Sequence, residues 1–292
     1  MLIQETINEP DTLLKLLINL DDQLQALQPQ LAAQQLPRDG RGGTPCLCAA
    51  EVLTIMIYGA WLGLTDKAKL YYYFQRHHWA EFPALPSYSK FVEATNRVVR
   101  EAGALLGQQL QANRVAQQGH PLVLQDSTPV PVCKVARAKQ HRTFKQHARK
   151  SRNGSGYWYG FKLHVQCDQR GRLCAVRLTA ANVDDRQLLD PLCEWIEHGI
   201  VVGDRGYISQ AKAEALGRRG IQLFTPNRKN MKKLATPFQV ACLQARHRVE
   251  EAFEFLKCCF GMIRSTHRAD YAFAIHLLVC LLAYSLFNLL FQ

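Results

Sequence analysis

The sequence predicts an α/β fold, with a mixed five-stranded sheet flanked by helices over residues 117–292 and an all-α region before it over residues 1–116. Two observations lead to this prediction. In the first region, apolar residues recur three or four positions apart, which is the spacing of one helix face. From Pro121 onward, short apolar runs typical of strands alternate with helical segments, as in proteins whose sheets are covered by helices.

The first region reads as a series of helices. Leucines at helical spacing predict a helix over residues 3–35, and a loop rich in Gly and Pro follows at Pro37–Pro45. Ala49–Leu62 is a strongly apolar helix, Thr65 or Asp66 caps the next one, and a further helix runs from Ser87 or Ser89 to about Arg114. This near-neutral region fits either a helix-turn-helix DNA reader or a bundle for packing or dimerisation.

The second region alternates strands and helices. The predicted elements in chain order are a strand Pro121–Asp126, a basic segment Lys134–Arg152, a strand Tyr157–Asp168, a strand Leu173–Thr179 joined to it by a hairpin, a helix Leu188–His198, a strand Ile200–Asp204, a helix from Ser209 to about Arg219, a strand Ile221–Thr225, a basic loop Asn227–Lys233 and a helix Arg246–Lys257.

The net charge of +12 is concentrated in the second region. Residues 1–119 hold 10 Lys and Arg against 11 Asp and Glu, whereas residues 120–292 hold 26 against 13. Such an excess indicates a polyanionic partner, commonly nucleic acid, although some bacterial proteins are simply basic. The segment Lys134–Arg152 holds eight Lys and Arg and no acid, so we expect a loop that orders on DNA. A disordered basic loop is the alternative.

The cysteines and the apolar segments indicate a cytoplasmic protein without a membrane span. Most of the ten cysteines lie in apolar runs without a C-x-x-C pair, which is typical of reduced, non-secreted proteins. The first residues lack the basic and apolar regions of a signal peptide. The uncharged run Ala272–Gln292 is long enough to cross a bilayer, but we expect a core helix there.

Three carboxylates are the candidates for chemistry. Asp126 and Asp204 each follow a short apolar strand, where open α/β sheets place their sites. Glu250 lies on the predicted helix Arg246–Lys257, four residues after Arg246 and seven before Lys257. Three oxygen ligands without clustered His or Cys favour Mg²⁺ or Mn²⁺, and two such ions can serve phosphoryl transfer. The alternative is that the two aspartates only cap turns and that Glu250 only forms ion pairs on a solvated helix face.

Together these residues resemble the DDE transposases of bacterial insertion sequences. The motifs that carry the resemblance are Asp126 in Gln-Asp-Ser, Tyr159–His164, Asn182–Arg186, Gly203–Tyr207 and the spacing Arg246-x₃-Glu250-x₆-Lys257. The last spacing is that of the Tyr-Arg-Glu-Lys signature, although Leu243 stands where the Tyr would fall. The runs Pro129–Lys134, Tyr207–Ser209 and Arg228–Lys232 look most like the group of insertion sequence 982.

The resemblance implies a ribonuclease H-like catalytic domain in which Asp126, Asp204 and Glu250 are the catalytic residues and hold two Mg²⁺ or Mn²⁺ ions. Glu251 and Glu254 are rival carboxylates on the same helix. Asp184 and Asp185 are expected to be helix caps, with Asp185 a further candidate for the site. DNA contacts are expected from Arg246, Lys257, Lys162, His164, Arg205, Lys134, Arg142, Lys145, Arg149 and Lys150.

The implied function is transposition, in which the enzyme cuts element ends and joins their 3′-hydroxyls to target DNA. The partners are then the terminal inverted repeats and the target DNA. The resemblance also implies a homodimer or larger assembly acting on the nucleoid of a bacterial cytoplasm. Two alternatives remain open at this stage: a ribonuclease H-like DNA nuclease without strand transfer, and a non-catalytic DNA-binding protein derived from a transposase.

Overall fold

The computed structural model describes residues 11–33, 45–117, 119, 121–154, 156–226, 236–263, 267 and 269–291. Contacts divide the described chain into two compact units, one formed by residues up to Gln108 with those from Phe255 onward, the other by Gln109–Glu254. The division predicted at residue 117, which places residues 255–292 with the sheet, stays a prediction; by their contacts, the described residues from Phe255 onward group with the first unit. The predicted loops Pro37–Pro45 (apart from Pro45) and Asn227–Lys233 lie outside the described residues.

The first unit is helical. Its described helices are α1 (Thr12–Ala33), α2 (Ala49–Trp61), α3 (Lys67–His77), α4 (Tyr88–Arg97), the first part of α5 (Val99–Val115), a π-helical turn (Phe255–Cys259) and, at the end of the chain, α10 (Asp270–Phe291). Asp66 caps α3 as predicted, since its carboxylate accepts from the amides of Ala68 and Lys69. The helix predicted from Ser87 to about Arg114 is divided at Val98 into α4 and α5.

The apolar helices α2 and α10 form the core of the first unit. α2 packs against α1, α3, α4 and α10, and 11 of its 13 residues are buried. The indole of Trp61 donates to the carbonyl of Ala283 at 2.8 Å. α10 is long and apolar enough to cross a membrane, with a mean hydropathy of 2.1, but 78% of its apolar stretch is buried. In this structure α10 is therefore a core helix, as the sequence predicted.

The second unit is built on a mixed sheet. Its described strands are β1 (Leu122–Cys133), β2 (Arg149–Asn153), β3 (Gly156–Asp168), β4 (Leu173–Ala180), β5 (Gly199–Val202) and β6 (Ile221–Phe224). β3 pairs antiparallel with β1 on one edge and with β2 and β4 on the other, and β5 and β6 then follow parallel to β1. Five of these strands are those predicted, and their antiparallel and parallel order agrees with the ribonuclease H-like sheet that the resemblance implies.

Helices cover both faces of this sheet, which confirms the predicted fold class. One face holds a core cluster in which Val123 and Val201 pack with apolar residues from the helices α6 (Leu189–Leu192) and α7 (Gln210–Arg218). The other face meets α9 (His247–Glu254), which follows α8 (Pro237–Gln244). α9 buries Val249, Ala252 and Phe253.

The basic segment after β1 is structured by itself, which corrects the expectation of a loop that orders only on DNA. Val135–Gln140 is a 3₁₀ helix. Arg149 begins β2, a described strand that the sequence did not predict. Phe144 anchors the segment because its ring is 2% exposed and meets Phe161 edge-on, with ring centres 5.6 Å apart.

Three further predictions of element bounds need correction. β1 continues to Cys133, so Asp126 lies within the strand and not at its end. The predicted helix Leu188–His198 is a 3₁₀ turn and the single turn α6, although its buried residues keep helical spacing. The predicted helix Arg246–Lys257 begins at His247, and Phe255–Cys259 forms the π-helical turn.

Gly160 holds the extension of β1 against β3. A Cβ atom there would lie 2.4 Å from the carbonyl oxygen of Val130 and 2.9 Å from the amide nitrogen of Val132. Both are backbone atoms, so relieving the clash would shift the two strands. We expect Gly160→Ala to lower the free energy of unfolding by about 2 kcal/mol in denaturant titrations.

Gly217 is the matched control in the same unit. It lies in the exposed part of α7, and an added Cβ would meet no atom within 4 Å. Gly217→Ala should raise the free energy of unfolding by up to about 1 kcal/mol, since alanine favours a helix. Equal effects of the two substitutions would contradict the proposed clash.

Candidate active site

Asp126 and Asp204 are neighbours because β1 and β5 are parallel and in register. Leu124 is opposite Val202, and each aspartate lies two residues further along the chain. The carboxylate of Asp204 also accepts from the amide of Gly206 at 2.7 Å, which closes the turn after β5. The carboxylate of Asp126 within β1 and that of Asp204 just after β5 are thus held beside each other, and the charge of Asp204 contributes to the raised pKa of Asp126.

Arg246 connects Asp126 to Glu250. Its Nη2 lies 3.3 Å from Oδ2 of Asp126 and 3.5 Å from Oε1 of Glu250. Asp126 lies on the sheet face against which α9 packs, and Arg246 lies at the start of that helix. One guanidinium therefore joins a strand and a helix that are 120 positions apart in the chain.

Burial is the main influence on the charge of Asp126. The pKa of Asp126 is raised from 3.8 to about 6, chiefly by removal from solvent and to a lesser degree by the charges of Asp204 and Asp185. The amide of Ser127, which donates to Oδ1 at 2.7 Å, and the guanidinium of Arg246 both lower it. The site therefore concentrates negative charge that a nearby cation would stabilise.

Glu250 is the carboxylate on α9 that Arg246 contacts. Its side chain is 63% exposed. Its neighbour Glu251 is paired with Arg248 at 3.0 Å. The contact with Arg246 supports the preference for Glu250 over Glu251 and Glu254, although the assignment of catalytic residues remains a prediction.

The donor atoms suit a hard divalent cation. All are carboxylate oxygens, the ligands that Mg²⁺ and Mn²⁺ prefer. In the described part of the chain, no three His, Cys, Asp or Glu side chains lie close enough together to form a ready-made metal site. The guanidinium of Arg246 lies between Asp126 and Glu250, so a positive charge already bridges two of the three predicted ligands.

Asp185 is a polar residue near the site that the sequence left as a distant candidate. Its Oδ1 accepts from the hydroxyl of Ser127 at 2.8 Å and from the ammonium of Lys162 at 3.1 Å. Lys162 also donates to the carbonyl of Val183 at 2.9 Å. Asp185 therefore holds Ser127, the residue after Asp126, on the face of β1 opposite to that of Asp126.

The structure corrects the expected DNA contact of His164 and limits that of Lys162. The side chain of His164 is fully buried, its Nε2 lies 2.9 Å from the hydroxyl of Thr179, and burial lowers its pKa to about 4. It is therefore neutral near pH 7 and has no surface to offer DNA. The side chain of Lys162 is 12% exposed and bound to Asp185.

Tyr207 lies beneath the aspartates. The sequence marks it only as part of the motif Gly203–Tyr207, and its side chain is 1% exposed. Burial raises its pKa well above 10, and the charges of Asp185, Asp126 and Asp204 raise it further. The phenol therefore stays protonated beside the carboxylates.

The remaining predicted DNA contacts are exposed residues of the second unit, except Lys257. Lys257 lies in the π-helical turn of the first unit, where the α-helical spacing that aligned it with Glu250 does not apply. The exposed predicted contacts are Arg205, Lys134, Arg142, Lys145, Arg149 and Lys150. Their binding to DNA remains a prediction.

Comparison with known proteins identifies a family. Residues 117–270 match the family described as "Transposase DDE domain". Similar solved structures include a piggyBac transposase synaptic complex with hairpin DNA, at 10% identity and a TM-score of 0.49 over 91% of this chain and 71% of that chain. A pre-cleavage Mos1 transpososome is similar at 13% identity and a TM-score of 0.25 over 90% and 86% of the two chains. No curated protein matches significantly. Because both TM-scores are below 0.5, the assignment rests on the family match.

The raised pKa of Asp126 predicts that its charge destabilises the fold. Between pH 3.8 and about 6, the folded protein holds a proton that the unfolded chain releases, so stability falls as the pH rises through this window. Without divalent cations, we expect Asp126→Asn to raise the free energy of unfolding near pH 8 by up to about 3 kcal/mol.

Denaturant titrations at several pH values measure this effect. Near pH 4 the gain should shrink, because much of the destabilising charge has not yet formed. Asp190→Asn is the control, since its carboxylate pairs with Lys212 at the surface. A variant Asp126→Asn that is less stable than wild type at every pH would contradict the prediction.

Asp185 is expected to contribute to stability as well. Asp185→Ala removes the acceptor of both Ser127 and the mostly buried ammonium of Lys162. We expect a loss of about 2 kcal/mol in the free energy of unfolding, because hydrogen bonds to charged groups are strong and a mostly buried cation loses its carboxylate partner. Asp190→Ala, which breaks an exposed pair, should cost less than about 1 kcal/mol. Similar losses in both variants would show that Asp185 makes no special contribution.

Proposed function

We propose, from the premise that this chain belongs to the DDE transposase domain family, that it cuts DNA at the ends of an insertion sequence and joins those ends to target DNA. The observation that supports this best is the grouping of Asp126 with Asp204 by strand register and with Glu250 through Arg246. Those residues come from three separate parts of the chain, and a role as caps or surface ion pairs would not require them to meet.

The proposed catalytic residues are Asp126, Asp204 and Glu250, which would hold two Mg²⁺ or Mn²⁺ ions. Such ions, when bound, stabilise the charge on the attacking and leaving oxygens of a phosphoryl displacement. The donor set fits them because it consists of carboxylates and already accommodates the positive charge of Arg246.

The reaction has two displacements at phosphorus. In the first, a water molecule loses a proton and its oxygen bonds to the phosphorus at the element end, while the bond to the 3′-oxygen breaks and that oxygen takes up a proton. In the second, this 3′-hydroxyl loses its proton and its oxygen attacks a target phosphorus, while the 3′-oxygen of the target leaves and takes up a proton. Neither step links the protein covalently to DNA.

Each residue has a role that follows from its position. Arg246 would bind the phosphodiester, since its guanidinium is a good partner for phosphate oxygens and lies beside the carboxylates. Asp185 and Ser127 would keep the backbone at Asp126 in place. The exposed cations of Lys134, Arg142, Lys145, Arg149, Lys150 and Arg205 would bind the DNA backbone.

The runs Pro129–Lys134, Tyr207–Ser209 and Arg228–Lys232 support membership of the insertion sequence 982 group. Because two element ends must be joined, we propose a homodimer or larger assembly. We place its action on the nucleoid in the bacterial cytoplasm.

Cleavage and joining of a labelled element-end duplex with Mg²⁺ test the function. We expect wild type to nick the duplex and to give joined product containing two ends. Asp126→Asn and Glu250→Gln should lose both reactions by at least about a hundredfold while still binding DNA, because removal of a charged ligand disables phosphoryl transfer. Glu251→Gln is the matched control on the same helix and should keep activity.

The outcomes separate the alternatives. Nicking without joined product would indicate a nuclease without strand transfer. Binding of the native ends without metal-dependent chemistry would leave a DNA-binding protein and refute the catalytic proposal. Full activity in Glu250→Gln with loss in Glu251→Gln would reassign the third carboxylate.

A further inference from the structure

The hairpin of β2 and β3 presents an aromatic ring to solvent. Tyr157 is 65% exposed, which is the largest exposure among the large hydrophobic residues that the structure describes. Arg152 is directly opposite it on β2, and its guanidinium lies over the ring at 5.2 Å from the ring centre. Lys150 is opposite Tyr159, which is the next pair on the same sheet face as Arg152 and Tyr157.

The sequence of the hairpin near this ring has cations but no acidic residues. Three of the five residues of β2 are cations, and residues 127–167 contain no Asp or Glu. Cations on an edge strand also prevent sheets from pairing with each other. That role gives no reason for an exposed tyrosine at the tip, whereas a nucleic acid ligand requires both the charge and a flat ring on which a base can stack.

The ring lies on the same sheet face as Asp126. Asp126 is opposite Val165 on β3, and every second residue from Val165 back to Tyr157 shares that face. Tyr157 is eight residues from Val165 along β3. At about 3.3 Å for each residue, it lies roughly 26 Å from the point where Asp126 is opposite Val165. That length corresponds to roughly eight nucleotides along a DNA strand at about 3.4 Å each.

We propose that the tip of the β2–β3 hairpin binds DNA at roughly eight nucleotides from the phosphodiester cut at Asp126, and that Tyr157 stacks there on a base released from its pair. The choice of DNA as ligand rests on the proposed function. Arg152 and Lys150 bind the phosphates of the same strand. A ring that is already exposed and held over a guanidinium needs little reorganisation to receive a base.

Fluorescence anisotropy with the full-length protein tests the proposal. The two probes are a labelled duplex of arbitrary sequence and the same duplex with a short bubble of unpaired bases. We expect wild type to prefer the bubble by about tenfold, since stacking on an aromatic side chain is available only to an unpaired base. Tyr157→Ala should abolish the preference, and Tyr157→Phe, which keeps the ring, should retain it.

Two controls separate stacking from charge. Tyr271→Ala removes a tyrosine of similar exposure, 55%, from α10 and should leave the preference intact. The double variant Lys150→Ala with Arg152→Ala should weaken binding to both probes alike and reduce the dependence on salt by about 0.9 per cation. Tyr157→Ala should leave the salt dependence unchanged.

The result that would overturn the stacking site is equal affinity of wild type for the two probes. A Tyr157→Ala variant that keeps the preference would overturn it as well, as would one that loses affinity for both probes equally. Failure of wild type to cut or join element ends, with a Tyr157-dependent preference intact, would refute the proposed chemistry and leave the stacking site standing.

Discussion

The parallel pairing of β1 with β5 is the constraint on which the site depends. Only Leu122–Leu124 take part in it, yet this short register sets the two aspartates beside each other. Carboxylates so placed repel, which adds to the larger effect of burial on the pKa of Asp126, and the apolar cluster around Val123 and Val201 holds the strands together against that repulsion. Arg246 then offsets part of the negative charge. The fold thus stabilises an arrangement that the charged groups alone would not adopt.

The sequence predicted the strands and the carboxylates because short apolar runs and their polar ends are local signals. It did not predict the full length of β1, since Pro129 and Pro131 normally end a strand. The structure explains their tolerance. β5 pairs with β1 only as far as Leu124, so one edge of β1 beyond that point carries no described ladder, and a missing amide donor there breaks no pairing.

Contacts between distant parts of the chain account for what the sequence could not predict at the site. Asp185 looked like a helix cap, and only folding brings it to Ser127, 58 positions away. Alternation along β3 correctly placed Lys162 and His164 on one face, but it carries no information on whether that face is covered. The π-helical turn at Phe255–Cys259 likewise has no simple sequence signal, so Lys257 was aligned by a period that does not hold there.

The helical unit is discontinuous in sequence, and this affects how the protein is made. The core of α2 is completed by α10, and Trp61 meets Ala283 across 222 positions of chain. At the usual pace of translation, α2 waits roughly 10 to 45 seconds for that partner to be synthesised. The sheet, by contrast, lies within one uninterrupted stretch and is complete well before. Until α10 is made, the side of α2 that it covers lacks that partner, although α1, α3 and α4 can already pack against its other sides. A nascent chain therefore exposes part of an apolar helix late into its synthesis.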